Sequence, residues 1–385
     1  MTTYSKVNPS LSPNRNTGLD HLRALAISLV FIFHYRLFDH PDWVVDWGSF
    51  GWTGVDLFFV LSGYLIAGQL FKEIKLNRFS PRLFFVRRFF RILPAYWLVL
   101  GLYFLVPVFR EWEQLAPLWR FLSFTQNFGL DRRYERTFSH AWSLCVEEQF
   151  YLLLPITILL LRFSKWEWFS PFLILTLFIG GFITRLFSWY VLILPSAGTD
   201  MFSVLWFKWM YYPTYNRLDG LLAGITLAGI HYFFPRIKTY LQLHIRLLLL
   251  AGLLLITGAY FLCREFSSFS SSIFGYPLIA LAYGCLVGVA TLRHSGKRNA
   301  LSRITSVIAT LSYSIYLSHK GVIHLTQVYL GQTTDIDQDS TVMFLCCIIT
   351  CLLAGALMYY FIEKPFLKIK DRYLARYLHR SQKAN

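Results

Sequence analysis

Charge is scarce in this sequence. Only 15% of its 385 residues are Asp, Glu, Lys or Arg and 55% are hydrophobic, whereas soluble domains carry about 25% charge. Repeated apolar stretches of about twenty residues make the composition that of a membrane protein. Acidic residues are the rarer sign, 21 against 37 basic ones, for a formal charge of +16. Such an excess invites a nucleic-acid partner, but the cations fall in the loops between apolar stretches, so no nucleic acid is expected. The six cysteines, Cys145, Cys263, Cys285, Cys346, Cys347 and Cys351, lack disulfide or metal-ligand spacing. Most sit inside apolar runs as small hydrophobes, and no metal is expected. The polar start, residues 1–17, lacks a cleavable signal peptide, which leaves the first span to serve as an uncleaved one. No soluble domain long enough to fold is expected at either end.

What is there is a series of spans. Ten are predicted, near 19–38, 51–71, 91–109, 141–161, 171–194, 214–234, 244–262, 273–292, 304–329 and 341–362. Lys and Arg concentrate in alternate connections. Lys72, Lys75, Arg78, Arg82, Arg87, Arg88 and Arg91 lie between spans two and three. Arg162 and Lys165 follow span four, while Arg236, Lys238 and Arg246 follow span six. Arg293, Lys297, Arg298 and Arg303 follow span eight, and the tail beyond Glu363 is basic again. Asp39, Asp42 and Asp46 follow span one, and Asp335, Asp337 and Asp339 follow span nine. The alternation predicts an all-α polytopic protein with both termini in the cytoplasm. The expected units are a tail over 1–18, a membrane domain over 19–367 and a basic tail over 368–385.

The first span sets the frame. Arg23 and His34 are eleven positions apart, almost a whole number of helical turns, so they share a face roughly 16 Å apart along the axis. That places a cation at one membrane surface and a proton-transfer group well inside, where ionisable side chains are costly and usually functional. The competing reading is an interfacial anchor and a satisfied polar residue. In span two, Gly51, Gly54, Gly63 and Gly68 are small enough to let helices approach closely, and Asp56 lies too deep for a surface residue. The stretch 78–97 alternates cations with aromatics, as in a helix lying on the membrane surface before span three. Arg87, Arg88 and Arg91 can anchor to lipid headgroups or converge on one phosphate. Glu147 and Glu148, adjacent in span four, diverge by about 100° and so take different jobs. Arg217 and Asp219 open span six. Tyr313, Tyr316, His319 and Lys320 line a polar stretch of span nine that equally suits helix packing. Glu363-Lys364-Pro365 reads as a helix stop. With this topology His34, Asp56, Glu147, Glu148, Arg217, Asp219 and His319 share the outer half of the membrane, the pattern of a convergent pocket.

In order, these segments resemble the acyltransferase 3 family of integral-membrane acyltransferases, from Leu19 to about Leu367. The resemblance rests on Arg23 and His34, GVDLFFVLSGYLI at 54–66, RRFFRILPAYW at 87–97, WSLCVEEQFYLLLP at 142–155, NRLDGLLAG at 216–224, LSYSIYLSH at 311–319 and FIEKP at 361–365. It implies ten helices, acyl-coenzyme A (by default acetyl-CoA) as donor, and a hydroxyl of a glycan or glycolipid as acceptor. The family's motif histidine and arginine map onto His34 and Arg23, and its cationic motif onto Arg87, Arg88 and Arg91. Many members append an extracytoplasmic esterase-like domain, so a chain ending after span ten is expected to be a stand-alone transferase.

An acceptor hydroxyl needs a base near neutral pH, a role suited to His34. Glu147 or Glu148 is expected to orient and charge-stabilise that imidazole, and Asp56 is grouped with them as catalytic. Trp142, Arg217, Asp219, Tyr313, Tyr316 and His319 are the expected acceptor contacts. Ser62 and Cys145 are weak nucleophile candidates, which favours direct transfer over an acyl-enzyme. A small secondary metabolite as acceptor and a proton-coupled transporter are the alternatives. The sequence has no internal repeat and no pair of matching broken helices, which weighs against the carrier. Membrane lipids are expected partners, and self-association is left open.

Overall fold

The computed structural model describes residues 16–163, 169–293 and 299–384, and every regular element among them is helical. Lys165, Lys297 and Arg298, read above as loop cations, lie outside the described residues. The long helices are α1 Thr17–Tyr35, α2 Gly54–Lys75, α3 Pro81–Leu105, α4 Trp142–Phe163, α5 Phe169–Phe187, α6 Asp219–Phe233, α7 Ile245–Leu262, α8 Tyr276–Leu292, α9 Ala300–Thr333, α10 Thr341–Met358 and α11 Lys364–Ala384. Their starts follow capping chemistry. The Asn16 side chain accepts from the amides of Gly18 and Leu19, Ser80 accepts from Leu83 ahead of Pro81, and Asn299 and Ser302 form a reciprocal capping box.

Helix is present in each of the ten predicted stretches, but fewer are plain spans. Six stretches are long and apolar enough to cross a membrane, and α6 makes a seventh if it is counted with Pro235–Leu243, from which it bends by 105°. α1, α3 and α9 have the length, at 19, 25 and 34 residues, but they carry the ionisable residues described below. Two boundaries differ in kind. The surface helix expected before span three is not separate, because α3 runs from Pro81 through Pro94 as one element. Nor does the chain stop at Glu363-Lys364-Pro365. A π-helical turn over Tyr359–Glu363 leads straight into α11. The wider turn absorbs the donor missing at Pro365, and it carries Glu363 into the interior, 2% exposed.

α2 packs most extensively on α6, α1 on α9, α7 on α8 and α9 on α10. The α2–α6 crossing depends on glycine. A Cβ at Gly63 would strike the Leu221 carbonyl, and one at Gly224 would strike the backbone of Val60 and Tyr64. Gly68, expected to act likewise, has only a Tyr232 ring atom 3.4 Å from where its Cβ would be. Gly63→Ala should therefore cost about 1–3 kcal/mol of stability, read as a lower melting temperature in detergent, while Gly68→Ala should leave it unchanged. Leu247, Leu250 and Leu254 on α7 are exposed, a face suited to lipid and unsuited to water.

Candidate active site

Two cavities open at opposite ends of the same helices. The first, about 850 Å³, is lined by Arg23 of α1, Arg87, Arg88 and Arg91 of α3, Ser143, Glu147, Glu148 and Tyr151 of α4, and Tyr313 and Tyr316 of α9. The second, about 960 Å³, is lined by Pro107 and Arg110 just beyond α3, the loop residues Glu111, Trp112, Arg132 and Arg136, Phe207, and His324 of α9. Along α9 the order is therefore Tyr316 in the first cavity, His319, then His324 in the second.

A layer of three imidazoles occupies the middle. His34 comes from α1, His319 from α9, and His140 from the 3-10 turn Ser139–Ala141 that leads into α4. Ring centroids are 4.9 Å apart for His34–His319 and His140–His319, and 5.8 Å for His34–His140. Each ring has one nitrogen on a backbone carbonyl: His34 Nδ1 on Val30 at 3.0 Å, His140 Nε2 on Leu317 at 3.2 Å, and His319 Nδ1 on Tyr316 at 2.8 Å. A carbonyl only accepts, so the neutral rings carry their proton on that nitrogen and a lone pair on the other. His140 Nδ1 and His319 Nε2 have no hydrogen-bond partner. Tyr316 ties the layer to the first cavity, donating its hydroxyl to the His140 carbonyl at 2.7 Å and accepting from Ser143 at 2.5 Å. On the far side Lys320, the residue after His319, pairs at 2.6 Å with Glu111 in the second cavity's wall, both side chains buried.

The first cavity is electropositive, with seven Lys or Arg side chains and three carboxylates in its wall. Arg87 pairs with Glu73. Arg91 pairs with Glu363 at 2.9 Å, and Ser314 also donates to that carboxylate. Arg88 donates to the Gln69 side-chain oxygen at 3.0 Å, and its Nε is buried without a partner. Tyr151 donates to Glu147 at 2.8 Å and accepts from Ser62 at 2.5 Å.

Several expected placements change. Glu147 and Glu148 sit with the arginines, not at the level of His34, and His34 is oriented by its own helix carbonyl. Asp56 and Arg217 form a buried ion pair at 2.9 Å, while Asp219 is held by Arg185 at 2.7 Å. Buried charges need partners, and these pair with each other away from both cavities, although Arg217 Nε and Nη1 and Arg185 Nε are buried without a hydrogen-bond partner. Trp142 belongs to that unit, its ring 5.2 Å from the Arg217 guanidinium, so it is core and not a cavity wall. Cys145 is fully buried, whereas Ser62 lines the first cavity. His140, Arg185 and Glu111 escaped the sequence reading. His140 and Arg185 were findable as polar residues in otherwise apolar segments, but Glu111 sat in a loop of mixed charge.

The architecture is thus a helical bundle with two cavities on either side of a histidine layer. Residues 16–360 match the family model described as the acyltransferase domain, and the chain belongs to that family, acyltransferase 3. It is similar to the peptidoglycan O-acetyltransferase OatA of Listeria monocytogenes, 30% identical over 91% of this chain and 56% of that protein. The O-acetyltransferase OatA of Staphylococcus aureus is 28% identical over 95% of the chain and 59% of the relative. The putative peptidoglycan O-acetyltransferase YrhL of Bacillus subtilis is 29% identical over 94% and 57%. The chain thus spans a little over half the length of these relatives. No solved structure matches it. With its apolar helices and this family, the chain is a multi-pass membrane protein.

Proposed function

We propose that this chain is an O-acetyltransferase of the cytoplasmic membrane. It takes acetyl-CoA in the arginine-lined cavity and delivers the acetyl group to a glycan hydroxyl presented in the opposite cavity. The observation that carries this is the histidine layer between two cavities at opposite ends of the same helices. Ten crossings follow when α1, α3 and α9 are counted with the seven apolar spans. The basic connections then put both termini and the arginine cavity on the cytoplasmic side.

The donor's phosphates suit a cavity of net positive charge in which Arg88 keeps an unused buried donor. Its thioester arm runs from Arg23 toward Tyr316. His34, with its proton held on Nδ1 by Val30, takes the acceptor's hydroxyl proton on Nε2 as the oxygen attacks the thioester carbonyl. The new C–O bond replaces the C–S bond, and the proton leaves with the coenzyme A thiol. Glu147, engaged with Tyr151, shapes the donor channel and does not serve the imidazole. The relatives' names favour peptidoglycan as the glycan.

Donor binding gives the first test. Arg88→Gln should raise the KM for acetyl-CoA at least about tenfold, since bonds from charged donors are worth about 1.5–3 kcal/mol, with kcat little changed. An unaltered KM would place the donor elsewhere. A carrier would leave the thioester intact, so acceptor-dependent release of free coenzyme A separates the enzyme from a transporter.

A further inference from the structure

The second cavity has features that a neutral sugar site does not require. Four arginines line it, and two of them are already engaged. Arg110 donates to the carbonyls of Tyr103 and Phe104 at the end of α3, at 2.6 and 2.8 Å. Arg133 grips Asp131 at 2.7 Å, and its hydrogen bonds hold that carboxyl below the usual carboxylate range. Arg132 and Arg136 differ. Each guanidinium lies 4.0 Å from an aromatic centroid, Arg132 over Phe207 and Arg136 over Trp112. Neither has a carboxylate partner among the described residues, and the buried Nε of Arg136 has no partner at all. Stacking fixes the plane of a guanidinium and leaves its edge donors free, the arrangement that receives carboxylate or phosphate oxygens bidentately.

The nearby carboxylates do not cancel this. Glu111 is neutralised by Lys320 inside the wall, and Glu113 is exposed at the rim. Glu111 also ties the cavity to the reaction centre, because Lys320 directly follows His319. An anion held by Arg132 and Arg136 would thus be fixed in the cavity that the histidine layer closes.

We infer that the second cavity selects an acceptor glycan carrying an anionic group, a carboxylate or a phosphate, and that Arg132 and Arg136 are its specificity determinants. The inference rests on the acyltransferase reading for the word acceptor, but its test does not need turnover. Binding to the full chain in detergent is measured by titration calorimetry, without donor. Three saccharides of one length are compared: one bearing carboxylates, the same chain with those groups amidated, and one bearing phosphodiesters. The carboxylate or the phosphodiester chain should bind at least about tenfold tighter than the amidated one, and whichever does so names the anion. Arg132→Gln/Arg136→Gln should erase the preference while the amidated chain binds as before. Equal binding of all three by the unaltered protein would overturn the inference without recourse to any variant. So would a preference that survives the double substitution. Absence of acetyl transfer by the unaltered protein, with its anion preference intact, would instead count against the acyltransferase reading alone.

Discussion

Replacing His34 with alanine should lower acetyl transfer by about 10²–10⁴-fold, the usual contribution of a positioned base, without changing the KM for acetyl-CoA. The split follows from geometry. His34 stands in the imidazole layer with His140 and His319, while the donor's phosphates would be held by arginines at the other end of the first cavity. A structural histidine would behave differently. Its loss would lower the melting temperature and affect both parameters or neither. Transfer assays with acetyl-CoA varied at saturating acceptor, alongside thermal unfolding of each variant, separate the two. Full activity in a well-folded His34→Ala protein would remove the proposed base.

Arg217→Ala should be the most destabilising single change considered, costing about 3–5 kcal/mol by leaving Asp56 charged and unpaired. Both Asp56 carboxylate oxygens accept from one Arg217 nitrogen, at 2.9 and 3.0 Å. The guanidinium sits in an aromatic box, 4.0 Å from the Tyr276 centroid and 4.9 Å from that of Tyr211. Because buried pairs are often replaceable by apolar residues of similar size, Asp56→Leu/Arg217→Met should recover much of the lost folded yield. Its activity per folded molecule should stay within a few-fold of the parent. Were Asp56 catalytic, the double variant would fold and remain inactive. Yield by size-exclusion chromatography and specific activity on the recovered fraction decide between them.

The contrast between these residues marks what could be read from the letters. Hydropathy and capping signals are local, so the helices were legible. The arginines of α3 were legible too, since a run of cations beside aromatics stays together in any helix. Position along a span does not by itself say whether a charge faces a cavity or a partner. Asp56, Arg217 and Asp219 looked like a pocket for that reason, and only the placement of Arg185 and the aromatic box shows them paired within the core. Glu147 and Glu148 were misplaced for a related reason. The arginine cavity runs along α4 as far as Ser143, and that reach is set by packing against neighbours. The histidine trio joins residues 34, 140 and 319, and no local pattern reports contacts of such sequence separation. The π turn before α11 was hidden because Pro365 ordinarily ends a helix.

Donor and acceptor should meet through the bundle from opposite faces. Proteoliposomes with a known insertion direction test it directly. Labelled acetyl-CoA, which does not cross the bilayer, is supplied on one side and a membrane-impermeant glycan on the other. Label should reach the glycan when acetyl-CoA is on the side of the arginine cavity and the glycan on the side of the loop cavity, and should vanish in His34→Ala. Transfer that occurs only when both are supplied on the same side would contradict the two-cavity account.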